Sequence, residues 1–455
     1  MSFFIEITLT ILYTAIFIAL IYKLKFFTIN NISRKLLSSI FVLKILCGII
    51  LAVIYTYYYK DRSTSDVFKF FDDAKNVIYN LLFTHPLDYL KIVTGIDSDA
   101  PNLHLYYDKM QCWYKGFNYN LYNDNRTIIR FNAIVMIFSF GYYHVHTVFI
   151  SFLSLIGLTA IFKTFYKYFA DKKYGLILAV FFAPSVMLWA SGVLKEGLIF
   201  FAFGLLIYSF NNLLNKNYGF LNFISLLLSV FLLIISKFYI LLSIIPSLIS
   251  LFWVLRTNNK YIFIKFLTVH ILFLILAFNS QFFVHNYNFT SILSLKQHDF
   301  VNFINSLPKV GSRIYMNELH PTWISILKNS PNALLTTLFR PIIFEANSFL
   351  VFIASIENLL ILLLLALCMF FINPFKKINN PYFYMSVFFV IFVFTLSGLT
   401  TPVFGALVRY KTPALPFLFI IFLFLLNTEK LFLKLHKYNS YKIVILFKKL
   451  FMISN

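Results

Sequence analysis

The sequence predicts an all-α membrane protein, a polytopic transmembrane helical bundle of about eleven spans with juxtamembrane helices in two long outer loops. Three observations lead there. Hydrophobic residues make up 60% of the 455 and charged residues only 12%, with a mean hydropathy of +0.80, too little polar surface for a water-soluble globule of this size. Phe349 to Ile372 carries one Glu and one Asn in a run long enough to cross a hydrocarbon core of about 30 Å. The apolar runs do not alternate with polar residues, as the strands of a membrane barrel would.

The elements follow in order once Lys23, Lys25, Arg34 and Lys35 are taken as the first cytoplasmic loop. Ser2 to Tyr22 is the first span with its N-terminus outside, not a cleavable signal, because the positive charges follow the apolar run. Leu36 to Tyr59 crosses outward, and a polar stretch from Lys60 to about Arg126 precedes the inward span Thr147 to Tyr166. Ile128 to Tyr142 is apolar but short, and is placed in the outer interface or as half a hairpin. Tyr174 to Ala190 and Leu198 to Phe210 form a pair turning outside at Lys195 and Glu196; Phe220 to Ile235 and Tyr239 to Leu255 form a second pair turning at Lys237. Tyr261 to Phe278 goes out, Phe349 to Ile372 comes in, Pro381 to Leu399 exits, Thr401 to Lys411 is a short outer turn, and Thr412 to Leu426 enters again. The expected organisation is one integral membrane domain over 1–455, with outer loops at 60–146 and 281–347 and a basic cytoplasmic tail at 429–455.

The net charge of +22 resides mostly in short Lys/Arg clusters between apolar runs, where the positive-inside rule puts cytoplasmic loops. Charge therefore reports topology, and a nucleic-acid partner is not expected. Cys47 and Cys368 lie in apolar segments and Cys112 stands apart in a polar one, so neither a disulfide framework nor a zinc site is implied. His144 and His146 are two apart, share a face only in extended chain, and have no third ligand in view.

The acids mark where chemistry would lie. Nine of the eleven Asp residues fall in the first outer stretch. Ser65 to Tyr79 reads as a helix on which Asp66, Phe70, Asp73 and Val77 recur at spacings of four, three and four, so that Asp66 and Asp73 share one face. Two carboxylates at a membrane surface suit deprotonation of a sugar hydroxyl or the binding of a divalent cation between phosphates, and whether a cation takes part is left open. The plainer alternative pairs Asp66 with Lys69 and Asp72 with Lys75 on a solvated helix. Lys195, Lys237, Arg313, Arg340 and Arg409 are cations on the predicted outer side, where an anionic lipid-linked substrate would need them; snorkelling to headgroups is the competing account. Pro341 follows Arg340, and Pro413 and Pro416 follow Arg409, giving stiff backbone beside each charge. Glu357, in the middle of a span, is either a functional carboxylate, which intramembrane acids favour, or one hydrogen-bonded to a neighbouring helix.

Several stretches together resemble a known group. Asp66 to Ala74 (DVFKFFDDA), close after a membrane helix, resembles the first outer loop of the polytopic glycosyltransferase C superfamily. Arg409 to Pro416 (RYKTPALP) resembles the Arg-Tyr-x-x-Pro-x-x-Pro opening of a late helix in bacterial members. Pro184 to Glu196 and Arg340 to Asn358 look like segments of membrane proteins of bacterial capsule and O-antigen polysaccharide loci. The resemblance implies a multi-pass enzyme of the bacterial cytoplasmic membrane that moves a sugar from a polyprenyl-phosphate carrier to an acceptor at the outer face. It implies that one of Asp66, Asp72 or Asp73 is the base and that Arg409 steadies the donor phosphate. Arg340 and Lys195 are added as carrier-phosphate contacts on predicted side and motif. Its partners would be the polyprenyl-phosphate-linked sugar, membrane lipid and other polysaccharide-assembly proteins. One departure stands: the superfamily's acidic loop follows the first membrane helix, and here it follows the second.

A repeat-unit polymerase also works outside on polyprenyl-linked glycans, and the outer arginines suit it. A lipid-linked glycan transporter or flippase would carry pseudo-repeats and polar residues near the midplane, and no repeat is visible.

Overall fold

The computed structural model describes residues 2–437 apart from 61, 63–64, 118–120, 286 and 308–311. It is helical throughout, with no β-strand among the described residues. In chain order the helices are α1 Ser2–Lys23, α2 Arg34–Val53, α3 Asp66–Asp73, α4 Tyr79–Thr84, α5 Pro86–Thr94, α6 His104–Tyr107, α7 Asn125–Ser139, α8 Tyr143–Tyr166, α9 Lys173–Phe181, α10 Pro184–Trp189 and α11 Lys195–Leu214. There follow α12 Phe220–Arg256, α13 Ile262–Phe278, α14 Phe289–Ser306, α15 Trp323–Phe339, α16 Phe349–Phe370, α17 Phe375–Ile378, α18 Pro381–Thr400, α19 Phe404–Lys411, α20 Leu415–Leu425 and α21 Thr428–Lys437. Eight helical stretches are long and apolar enough to cross a bilayer, which makes this a multi-pass membrane protein.

The eight and the expected eleven differ at three places. The 37-residue α12 would reach roughly 55 Å if straight, nearly twice a hydrocarbon core. Its backbone leaves helical geometry at Lys237 (φ −151°, ψ 81°), at the predicted turn. The expected span 174–190 is broken between α9 and α10 by Phe182 and Ala183, just before Pro184. α13 is apolar but short. The expected turn Thr401 to Lys411 is corrected: Phe404–Leu425 is one continuous apolar stretch, so Arg409 and Lys411 lie within helix. Of the expected basic tail only residues 429–437 form described helix, within Thr428–Lys437, and 438–455 lies outside the described residues, as does Asp61.

The chain divides into two compact units, one of residues 1–163 and 187–238, the other of 164–186 and 239–455. In the first, small residues bring backbones together. A Cβ on Gly157 of α8 would lie 1.9 Å from the Phe200 carbonyl oxygen, and one on Gly204 of α11 2.0 Å from that of Gly157, so α8 and α11 cross in direct backbone contact. Phe17 of α1 stacks on Phe152 of α8 at 4.3 Å between centroids, and Phe41 of α2 packs on Phe152 at 5.7 Å. The short apolar run after Arg126 is α7, half of a hairpin: the left-handed residues Phe140 (φ 51°) and Gly141 (φ 79°) reverse the chain into α8.

The acidic loop folds onto this hairpin. α3 continues through a π-turn at Ala74–Ile78 into α4, so the predicted helix runs unbroken and slightly longer. Trp113, fully buried, stacks on Tyr107 at 4.3 Å and carries the guanidinium groups of Arg126 and Arg130 at 5.0 and 5.4 Å from its ring. Aromatic burial and cation–π contact thus fix a polar stretch that has few aliphatic residues to bury.

In the second unit α15, α18 and α20 pack closely. A Cβ on Gly398 of α18 would lie 2.2 Å from the Ala333 carbonyl oxygen of α15, and Thr337 Oγ1 donates to the Phe394 carbonyl at 2.9 Å. Glu357, Lys411 and Asn358 are paired there. Glu357 accepts from the Ser185 backbone N–H (2.7 Å) and hydroxyl (2.9 Å), and Lys411 donates to the Thr337 carbonyl (3.0 Å) and Asn358 Oδ1 (2.8 Å). Asn358 in turn donates to the Pro341 carbonyl at 2.9 Å. Glu357 is thus bonded across helices.

Candidate functional site

The three aspartates of α3 have different surroundings. Asp72 is held by Arg62 in a fork, with Nε and Nη2 at 2.8 and 2.6 Å. The expected Lys75 partner is corrected, since Lys75 donates instead to the Gly141 carbonyl at 2.9 Å. Asp73 is 3% exposed, and its two oxygens accept the backbone N–H groups of Gln111 and Cys112, each at 2.8 Å. Burial pushes its carboxyl above the usual range, against those two N–H groups. Asp66 is half-buried at the start of the helix. Asp73 and Asp66 both raise the Cys112 thiol, which burial above all drives to about 11. The shared face read from the spacing is therefore the face toward Cys112, and Asp72 points elsewhere.

Beyond Cys112 the same face meets a cluster of cations. Asp124, just before α7, takes Lys195 at 2.8 Å, Lys237 at 3.0 Å and Lys115 on its two oxygens. Burial alone would raise this carboxyl, but the three ammonium groups together outweigh it and hold it well below the usual carboxylate range. Lys195 also donates to Asn125 Oδ1 at 2.8 Å and lies 5.4 Å over the ring of Phe70 in α3. Asn125 completes the link by donating to the Cys112 carbonyl at 3.2 Å. A chain of contacts thus runs from Asp73 through Cys112 and Asn125 to Lys195 and Asp124.

Two of the three cations owe their place to a break in the membrane helices. Lys195 is the first residue of α11, after the buried segment Ser191 to Leu194. Lys237 is the one non-helical residue of α12, and the carbonyl of Ile235 beside it accepts from Thr127 Oγ1 at 2.6 Å. Lys115 comes from the acidic loop. The three ammonium groups and the Asp124 carboxylate carry a net charge of +2 among themselves, which favours a further anion at these four side chains.

Compared with protein-family models, curated proteins and solved structures, the chain matches none. The site is therefore read from its own geometry.

The remaining candidates have surroundings of their own. Arg340 and Arg409 belong to the second unit, where the Arg340 guanidinium pairs with Glu345 and lies 5.1 Å over the Phe404 ring. Burial would raise the Glu345 carboxyl, but the Arg340 hydrogen bonds and the Ile342 N–H hold it below its ordinary value. Arg313 is exposed beside a single bridge to Val403. His146 is fully buried and spends both ring nitrogens locally: Nδ1 donates to Asn132 Oδ1 at 2.9 Å, and Nε2 accepts from Ser139 at 2.7 Å. Among the described residues no three His, Cys, Asp or Glu side chains gather as metal ligands.

Sequence reasoning selected Lys195 and noted Lys237 as a cation on the unexpected side. It did not join them, and it left Asp124, Lys115 and Asn125 without a role. The available signal was the two outer lysines themselves; their convergence on Asp124 depends on tertiary packing of three distant segments.

Proposed function

We propose that this chain is a membrane glycosyltransferase, moving a sugar from a polyprenyl-phosphate carrier to an acceptor at the outer face of a bacterial cytoplasmic membrane. The observation that supports the reading is the convergence of Lys115, Lys195 and Lys237 on Asp124, beside the acidic face of α3. In this reading the Asp66 carboxylate takes the proton of the acceptor hydroxyl as its oxygen bonds to the anomeric carbon. The bond from that carbon to the carrier phosphate breaks, and the leaving phosphate keeps the electron pair. The lysine cluster stabilises the growing charge on that phosphate, the step in which preorganised cations contribute most. Asp72 and Asp73 act as positioning residues, one tied to Arg62 and the other to the 111–112 backbone. Arg409 and Arg340 enter from the resemblance and the predicted side as further carrier-phosphate contacts.

The test is the lipid-linked glycan profile of cells carrying Asp66→Asn, Lys195→Met or Arg409→Ala at normal membrane abundance, beside cells lacking the protein. The expected result for Asp66→Asn is the deletion phenotype, a glycan shorter by one sugar. Accumulation of complete single repeat units in the deletion would replace this reading with a polymerase. Asp66→Asn cells with a wild-type glycan, beside a deletion that alters it, would remove Asp66 as the base.

A further inference from the structure

The membrane interior of the first unit holds a cation for which the proposed reaction has no use. Lys44 lies in the span Arg34–Tyr58, is fully buried, and its Nζ has no hydrogen-bond partner among the described residues. Among the described residues the ionisable side chain that acts on it is Cys47, a turn along the same helix. An ammonium group in such a place is costly unless something compensates its charge.

Its neighbours can be read from the register of α2 on α8. A Cβ on Gly48 would lie 2.4 Å from Thr147 Cγ2 and 2.5 Å from the Ser191 carbonyl oxygen, while Phe41 packs on Phe152. The two helices therefore run antiparallel, and the interface between these contacts is lined by Lys44, four residues before Gly48, and Ser151, four residues after Thr147. Ser154 extends the same face of α8 by another turn.

Several helical hydroxyls of this unit bond to their own helix, and those on this face do not. Thr56, Ser191 and Ser229 each donate to the carbonyl four residues back, at 2.8, 2.6 and 2.6 Å. Thr147, Ser151 and Ser154 are fully buried and have no hydrogen-bond partner among the described residues. Three O–H donors and one ammonium group thus line one buried interface, with no carboxylate among the described residues acting on the amine. A cation there would be repelled. An anion would be neutralised by Lys44 and would accept from the hydroxyls.

We propose that Lys44, Thr147, Ser151 and Ser154 form an intramembrane binding site for one monovalent inorganic anion of the halide class. The inference is independent of the glycosyltransferase reading. Its test is equilibrium dialysis of the purified full chain in detergent with radiolabelled chloride, alongside thermal melting in sodium chloride and in sodium gluconate at equal ionic strength. The wild type should bind chloride saturably and melt higher in chloride. Lys44→Met, which replaces a buried charge by an apolar chain of similar length, should keep its fold and lose both effects. Ser151→Ala should bind about tenfold more weakly, the loss of one hydrogen bond to a charged group. Absence of saturable binding in the wild type, wild-type binding in Lys44→Met, or unchanged affinity in Ser151→Ala would each overturn the proposal.

Discussion

Asp66 and Asp73 share a helical face but should fail in opposite ways when made asparagine. Asp73 accepts two backbone N–H groups at 2.8 Å in a site that is 3% exposed. Asparagine keeps one carbonyl oxygen and sets an NH₂ group against the second N–H. That substitution loses one charge-assisted hydrogen bond and leaves buried donors facing each other, together about 3 kcal/mol. In a unit of this size such a loss lowers Tm by roughly 5–10 °C. Asp66→Asn, at a half-buried helix start, should lower Tm less than Asp73→Asn does. The assay is thermal melting of both variants in detergent, read with their glycan profiles in cells. The expected pattern is an unstable but partly active Asp73→Asn and a stable, inactive Asp66→Asn. A stable Asp73→Asn with no activity would refute the reasoning, because it would move the chemistry to the carboxylate assigned to positioning.

The other predictions concern charge and close packing. Asp124 has a depressed carboxyl in the folded state, so its stabilisation is fully present above the ordinary value near ~3.9 and is lost as pH falls through the folded value. Asp124→Asn should cost about 3 kcal/mol at pH 7 and flatten the melting curve's dependence on pH below ~4; melting from pH 7 downward measures both. Lys195→Met should abolish sugar transfer, and Lys195→Arg should recover part of it because the charge returns without the compact geometry, as the glycan profile will record. Gly157→Leu should prevent assembly of the first unit, since even a Cβ there would lie 1.9 Å from the Phe200 carbonyl oxygen; recovery of a monodisperse species after detergent extraction is the measure.

The membrane helices were legible because their signal is local. Runs such as Phe349 to Phe370 need only apolar length, and basic loops mark their ends. Lys237 was legible too, as a charge interrupting an apolar run. Less local features were not. That Arg409 and Lys411 sit inside helix could not be read from residues 401–411, whose proline and charges look like a turn; Lys411 is buried there because the Thr337 carbonyl and Asn358 Oδ1, far off in sequence, accept its hydrogen bonds. The face of α3 was visible at spacings of four and three. Which aspartate would meet backbone N–H groups depended on where residues 111 and 112 fold back, and nothing near Asp73 encodes that.

The lysine cluster argues for a ligand more strongly than for stability. One lysine is enough to compensate one buried carboxylate. Each added ammonium group is attracted to Asp124 by several kcal/mol at an effective dielectric of about 20, but repels its neighbours by about 3 kcal/mol at a separation near 5 Å. It also gives up hydration, which is why buried ionic clusters seldom add net stability. The second and third lysines therefore contribute little to the fold, while leaving two positive charges on the side where the predicted topology is otherwise poor in them. A carrier phosphate would convert that excess into attraction. Asp124 then has a specific part, which is to hold three mutually repelling cations together while no phosphate is bound. On this argument Asp124→Asn weakens carrier binding although it raises the net positive charge, whereas a purely electrostatic patch would bind the carrier more tightly.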